Sequence, residues 1–294
     1  MFKVGIIGSD NSHAQAFAKL CNIPDPITGE YNFPDVRITA IYGHDPEQTK
    51  KVAEEGKIEN IFEKPEDFFG KVDAVMVVFR HGNLHAKYAL PFVKAGIPTW
   101  IDKPFTIDVA EAKMLIEEAD KNKTLLTGGS TCKYNYDILM LQNSINSSAI
   151  GNLVSGYLNF PGDVKSEYGG IFFYGGHMSE MIMTIFGYDI KSVEATVKND
   201  YVVAVANYDK FRVAMNFTKG AGQHFCILHG DKKSVVRELD ISIIYKLGFA
   251  KFVEMLRTGK RPLPLEKLLA PTIFLNALNK SIETGREVFL SEIE

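Results

Sequence analysis

Cysteine is rare in this chain, a cationic surplus is absent, and no long apolar run interrupts it; each absence removes a class of protein. The three cysteines among 294 residues, Cys21, Cys132 and Cys226, are odd in number and far apart, without a CxxC unit or the rhythm of zinc ligands. A disulfide framework is therefore not expected, and a reducing, cytoplasmic setting is. Lys plus Arg number 33 against 36 Asp plus Glu, a formal charge of -3. Such a balance offers no field for a phosphate backbone, so nucleic acid is not an expected partner. Nowhere do about 18 uncharged apolar residues follow one another, which leaves a membrane span unsupported. The second residue already belongs to an apolar strand, so a secretory leader is not expected. Repeats and low-complexity tracts are also missing. With 46% hydrophobic and 23% charged residues, the composition is that of a chain that folds throughout, and its length suits two domains, expected at 1–128 and 129–294.

What is present first is alternation. KVGIIG at 3–8 reads as a strand closed by glycine, and residues 12–20 follow at helical spacing. Residues 36–42 are a β-branched second strand; Asp45-Pro46 then starts a charged helix over 47–55. The almost continuous apolar run at 72–79 predicts a central parallel strand covered on both faces. Helical spacing returns over 84–95 with Pro91 as a kink, 97–101 is the next strand, Asp108 and Glu111 form a capping pair for a helix to about residue 122, and 124–127 is a last short strand. Strands alternating with helices of this length predict a doubly wound parallel sheet of the Rossmann type, an α/β domain whose crevice lies at the strands' carboxyl ends.

Past residue 130 the rhythm changes. Residues 133–145 read as helix, 151–159 as strand and 178–186 as an apolar helix, with Gly175-Gly176 at its start. Short runs at 192–197, 202–208, 211–217, 224–229 and 234–237 are separated by tight turns, among them Lys219-Gly220-Ala221-Gly222. Turns so short join antiparallel strands, which predicts a C-terminal α+β domain with a largely antiparallel open sheet, one face free. A final helix over 266–284, ended by Gly285, is long enough to pack back across a domain.

The crevice residues carry the chemistry. Gly8-Ser9-Asp10-Asn11-Ser12-His13 keeps only the first glycine of a dinucleotide fingerprint. Asp10 stands where backbone should approach a pyrophosphate, and His13 where helix and strand should touch. Asn11 and Ser12, with the open helix N-terminus, are the alternative anion holders. After the second strand, where a carboxylate ordinarily meets a ribose, stand Gly43 and His44; His44 is a candidate to stack on adenine or meet a ribose phosphate, and Asp45 to cap the next helix. Arg80 and His81 follow the central strand and face the nicotinamide or substrate side. His81 and His85 are four apart but lack a supporting cysteine or acidic cluster, so no metal is expected, and His85 reads as a structural hydrogen-bonding residue. Asp102-Lys103-Pro104 leaves a strand directly into the crevice, where an ammonium can steady an alkoxide.

These segments resemble the family of glucose-fructose oxidoreductase, inositol dehydrogenase and rhizopine-catabolism proteins (Gfo/Idh/MocA). The likeness rests on VGIIG at 4–8, AIYGHDPE at 40–47, LHAKYALPFVKAG at 84–96, DKP at 102–104, GGIFFYGGHMSE at 169–180 and ETGREV at 283–288. The resemblance implies an N-terminal domain binding NAD or NADP, a C-terminal open sheet used for dimer or tetramer contacts, and oxidation of a hydroxyl on a sugar, cyclitol or related polyol. It also implies that Lys103 and His177 flank the substrate; Asp102, where a glutamate is commoner, and Lys103 are also candidate cofactor contacts. An aspartate frequent four residues before that histidine is here Phe173, leaving Tyr174 and Glu180 as local candidates to assist. Tyr157, Asn159, Lys165 and Tyr168 are candidate substrate contacts. Two rivals stay open: a sugar- or nucleotide-binding protein without turnover, and a lyase or epimerase that retains NAD.

Overall fold

The structure is a computed structural model that describes residues 1–219 and 222–293; Gly220 and Ala221 of the expected 219–222 turn lie outside the described residues. The first half runs β1 (Phe2–Ile7), α1 (Ser12–Asn22), β2 (Val36–Tyr42), α2 (Pro46–Glu55), β3 (Asn60–Ile61), β4 (Ala74–Val77), α3 (His85–Lys94), β5 (Thr99–Ile101), α4 (Val109–Lys121) and β6 (Leu126–Gly128). Its strands form a six-stranded sheet in the order β3-β2-β1-β4-β5-β6, every pairing parallel. The order reverses between β1 and β4, which opens a crevice at their carboxyl ends. Expected caps are in place: the Asp45 carboxylate accepts from the Glu47 and Gln48 amides and that of Asp108 from the Glu111 amide, each satisfying amides that a helix start leaves unpaired.

The second half contains α5 (Tyr136–Asn146), β7 (Leu153–Pro161), α6 (Ile171–Phe186), β8 (Ser192–Lys198), β9 (Tyr201–Asn207), β10 (Arg212–Thr218), β11 (Phe225–Gly230), β12 (Ser234–Glu238), α7 (Ile244–Thr258), α8 (Glu266–Thr284) and β13 (Val288–Phe289). Its sheet has the order β12-β11-β7-β10-β9-β8-β13. Hairpin neighbours are antiparallel, as the short turns predicted, but β7 and β10 pair in parallel because the chain between them passes through α6. One face packs on α6 and α8 through Leu158, Met215, Phe217, Ile182 and Phe274; the other is open.

Two differences from the sequence reading bear on the site. Helix α6 starts at Ile171, seven residues before the expected 178, so Gly175, Gly176 and His177 lie inside it. The glycines there serve packing: a Cβ on Gly175 would stand 2.9 Å from Leu275 Cδ2, and one on Gly176 3.4 Å from the Pro104 Cα. Helix α7, for which no segment was assigned, turns back to the first sheet and buries Phe249 and Phe252 against Phe17 and Trp100. That sheet is thus covered by α1 and α7 on one face and by α3 and α4 on the other. No helix among the described residues is long and apolar enough to cross a membrane.

Candidate functional site

A cavity of about 610 Å³ opens where the carboxyl ends of β1, β4 and β5 meet α6 and the second sheet. Asn11, Ser12 and His13 reach it from the start of α1, Arg80 from beyond β4, Lys103 from beyond β5, and His177 from α6. The close approach of Gly176 to the Lys103–Pro104 backbone, whose peptide bond is cis, is what sets His177 beside this segment.

Lys103 is almost fully buried. Its Nζ donates to the Phe173 carbonyl at 3.4 Å and lies 3.9 Å from the centre of the Phe173 ring; it makes no ion pair among the described residues. Burial pushes its pKa down to about 8, opposed by the charge of Asp102. His177 Nδ1 meets Ser130 Oγ at 2.7 Å and lies 3.5 Å from Cys132 Sγ. Burial first, and then the charge of Lys103, hold His177 well below the usual imidazole range, so it is neutral at pH 7. The two cavity groups predicted from opposite halves of the chain therefore do meet in one groove.

Glu180 does not line it. Its carboxylate accepts from Lys133 Nζ at 2.9 Å and from the Ser130 amide at 3.2 Å. Its route to the cavity is through Ser130, which no motif had singled out. Tyr174 does face the cavity and is half-exposed.

The substrate-contact expectations divide. Tyr168 stands at the mouth, its ring 4.0 Å from the Arg80 guanidinium and its hydroxyl accepting from Arg80 Nη1 at 3.1 Å. Lys165 is exposed near it and pairs with Asp200 at 2.9 Å. Tyr157 and Asn159 must be corrected: both lie on the open face of the second sheet, away from the cavity. Alternation along β7 turns Leu158 and Phe160 inward and these two outward. There Tyr157 stacks on Phe225, and Asn159 donates to the Gln223 carbonyl and accepts from Asn216. Residues missed in sequence but lining the cavity include Cys132, Phe160, His224 and Tyr245; Tyr245 comes from the unassigned α7.

At the first turn, Gly8 has φ 111° and a Cβ there would stand 2.6 Å from the Phe79 amide nitrogen, so only glycine fits. The amides of Asp10, Asn11 and Ser12 find no acceptor among the described residues, and Asn11 Nδ2 is buried without a partner. These donors at a helix start fit a bound diphosphate. Asp10 departs from the pattern, its carboxylate accepting from the Arg80 amide at 3.2 Å. Gly43 is explained by packing: a Cβ would fall 1.9 Å from Ser9 Oγ. His44 is exposed, with its ring over Phe79 and Nε2 2.6 Å from the Tyr88 hydroxyl. His81 caps a short turn by accepting from the Asn83 amide. Buried His85 faces the Pro104 and Phe79 carbonyls, the structural role expected of it.

Comparison with known proteins places these features. Residues 2–130 match the family described as "Oxidoreductase family, NAD-binding Rossmann fold". The uncharacterized oxidoreductase YhhX of Escherichia coli (strain K12) is 24% identical over 195 residues, 61% of this chain and 49% of that protein; the match spans about half the length of that relative. Among solved structures, a probable dehydrogenase from Thermotoga maritima superposes with a TM-score of 0.82 at 18% identity, covering 99% of this chain and 100% of that one. The myo-inositol 2-dehydrogenase of Lactobacillus plantarum gives 0.84 at 14%, covering 98% and 99%. The scyllo-inositol dehydrogenase of Lactobacillus casei with bound NAD(H) and scyllo-inositol gives 0.82 at 14%, covering 99% of each chain. At such identities the likeness is one of fold.

Proposed function

From the premise that this chain belongs to the Gfo/Idh/MocA oxidoreductase family, we propose that it oxidises a hydroxyl of a sugar, cyclitol or related polyol with NAD or NADP. The observation that carries the reading is the convergence of Lys103 and His177 on one cavity that also receives the open N-terminus of α1. Asn11, Ser12 and the amides of the first turn would hold the dinucleotide, with Arg80 and Asp102 beside its reactive end. When bound, the nicotinamide supplies the hydride acceptor. Lys103 donates a hydrogen bond to the substrate oxygen and stabilises the negative charge that grows on it, an interaction strengthened by burial because water is excluded. His177, neutral and fixed through Ser130 at Nδ1, offers Nε2 as a hydrogen-bonding partner for the same hydroxyl. Tyr174 and Tyr168 offer hydroxyls to the rest of a polyol, Lys165 an ammonium at the mouth.

Calorimetric titration with both redox forms of NAD and NADP, then a polyol and sugar screen followed by the absorbance of reduced nicotinamide, tests the reading. Binding of one nucleotide pair and turnover with a polyol is the expected result; absence of binding to all four forms sinks it. A second reading, a sugar-binding protein without turnover, is favoured by the Asp10 carboxylate at the pyrophosphate position. In that case a polyol binds while no nucleotide does.

The open sheet face supports a homo-oligomer. Tyr157, Phe225, Ile227, Val203 and Val236 share it, the last two 50% and 69% exposed, and apolar area of this kind on one sheet suits a second copy. Light scattering is expected to give a dimer or tetramer, and Val236→Lys to weaken it; a monomer at all concentrations refutes this.

A further inference from the structure

Besides His177 the cavity is lined by two imidazoles that the reading above leaves without work, His13 and His224, and among the described residues only His13 hydrogen-bonds a carboxylate. His13 stands in the first turn of α1 and Asp102 at the exit of β5, and His13 Nδ1 lies 2.6 Å from Asp102 Oδ2, with both residues buried. We propose that His13, oriented by Asp102, is the residue that receives the proton of the substrate hydroxyl, a role that rests on the oxidoreductase reading.

The hydrogen bond fixes the tautomer. An ionised carboxylate only accepts, and although burial works to raise the pKa of Asp102, the neighbouring His13 and Lys103 hold it below the usual carboxylate range. Nδ1 of His13 therefore carries the hydrogen, and Nε2 keeps its lone pair; Nε2 has no partner among the described residues. His13 lines the cavity, with its ring centre 6.4 Å from that of His177.

The two imidazoles differ in what each can do with a proton. Among the described residues no carboxylate hydrogen-bonds His177, whose Nδ1 meets Ser130; burial and Lys103 oppose its charged form, and the charge of Asp102 offsets them only in part. Phe173, about one helical turn before His177, offers a ring and not a carboxylate. Asp102 hydrogen-bonds His13 instead, at the ring nitrogen by which the aspartate of a catalytic triad orients its histidine. Asp102 Oδ1 is buried without any partner among the described residues, so no other donor there competes with His13 for the carboxylate. In the step, the substrate O–H bond breaks and its proton forms an N–H bond at His13 Nε2. The oxygen electron pair becomes the second carbonyl bond as hydride leaves carbon for the oxidised nicotinamide nucleotide. Lys103 keeps its protons throughout, and His177 orients the hydroxyl.

The test has one arm without activity. In the nucleotide-free protein carrying isotope-labelled histidine, NMR is expected to find His13 with its hydrogen on Nδ1, and Asp102→Asn to abolish that signature. An Nε2–H tautomer in the unaltered protein overturns the proposal. In the second arm, His13→Ala and His13→Asn are expected to lower turnover by about a hundredfold or more, the scale of general-base catalysis. The asparagine variant can still donate to Asp102, so it guards against simple unfolding. Added imidazoles are expected to restore turnover to the alanine variant in order of their basicity, which a purely structural role would not produce. Turnover within about threefold of the unaltered enzyme in His13→Asn, while Lys103→Ala collapses, refutes this role and leaves the oxidoreductase reading intact. Failure of the unaltered protein to bind any nucleotide sinks both.

Discussion

Lys133–Glu180 and His13–Asp102 are both buried pairs of a basic group and a carboxylate, 2.9 Å and 2.6 Å apart, and both lie next to the Lys103 and His177 groove. Their surroundings separate them. Glu180 uses one oxygen for Lys133 and the other for the Ser130 amide, while Lys133 also donates to the Gly128 carbonyl at 2.7 Å. Neither residue lines the cavity. His13 does, and among the described residues no hydrogen bond reaches Nε2 of its ring or Oδ1 of Asp102. A buried ion pair thus does not by itself mark a reacting group; unused hydrogen-bonding capacity facing a cavity does. The first pair holds Ser130, and through it the ring of His177, in position. The second has capacity left for a ligand.

The largest effect expected from this contrast is on folding. Lys133→Met leaves Glu180 buried without its counter-charge, and breaking a buried pair from one side costs about 3–5 kcal/mol. Urea unfolding measures it. A loss below about 1 kcal/mol, the range of surface pairs, would put Lys133–Glu180 outside the structural class. Next comes Lys103→Ala, expected to reduce turnover at least about tenfold, a rise of about 1.4 kcal/mol in the barrier, without unfolding the chain. Turnover unchanged with an active substrate would remove Lys103 from the mechanism. Smaller again is the alkaline limb. Because burial brings Lys103 down to about 8, the ammonium is present below that pH and lost above it, so turnover is expected to fall as pH rises through about 8. A rate that keeps rising to pH 10 would mean that the neutral amine suffices.

The parallel sheet was legible because helices cover it on both faces, so β4 reads as one continuous apolar run and the βα alternation fixes its neighbours. Helix α8 was legible to the residue, since Gly285 supplies the left-handed stop. The glycines of α6 misled for a physical reason: they look like a turn, yet they admit Leu275 and the Lys103–Pro104 backbone against the helix. Lys103 and His177 were recognisable from their motifs. The outward placement of Tyr157 and Asn159 was available from the alternation of Leu158 and Phe160, two residues apart on the buried face. The His13–Asp102 bond spans 89 positions, and no local periodicity encodes a contact between the first turn of one helix and the end of a strand so distant in the chain.

The smallest effect separates the two carboxylates by sign. Asp102 has its folded value below the ordinary 3.8, so the unfolded chain binds its proton first as pH falls. Its contribution to stability is complete above that ordinary value and is lost as pH falls through the folded one. Glu180 is shifted the other way: burial raises it above the ordinary 4.5, against the opposing pull of Lys133 and the Ser130 amide. The folded chain then holds this proton longer than the unfolded one, and stability declines as pH rises from 4.5 through the raised value. Urea midpoints measured between about pH 3 and pH 7 are therefore expected to respond in opposite ways. Asp102→Asn flattens the acid limb below pH 3.8, and Glu180→Gln flattens the decline above pH 4.5. If both variants flatten the same limb, the two pairs share one electrostatic role, and the distinction between the pair that holds the site and the pair that faces it is lost.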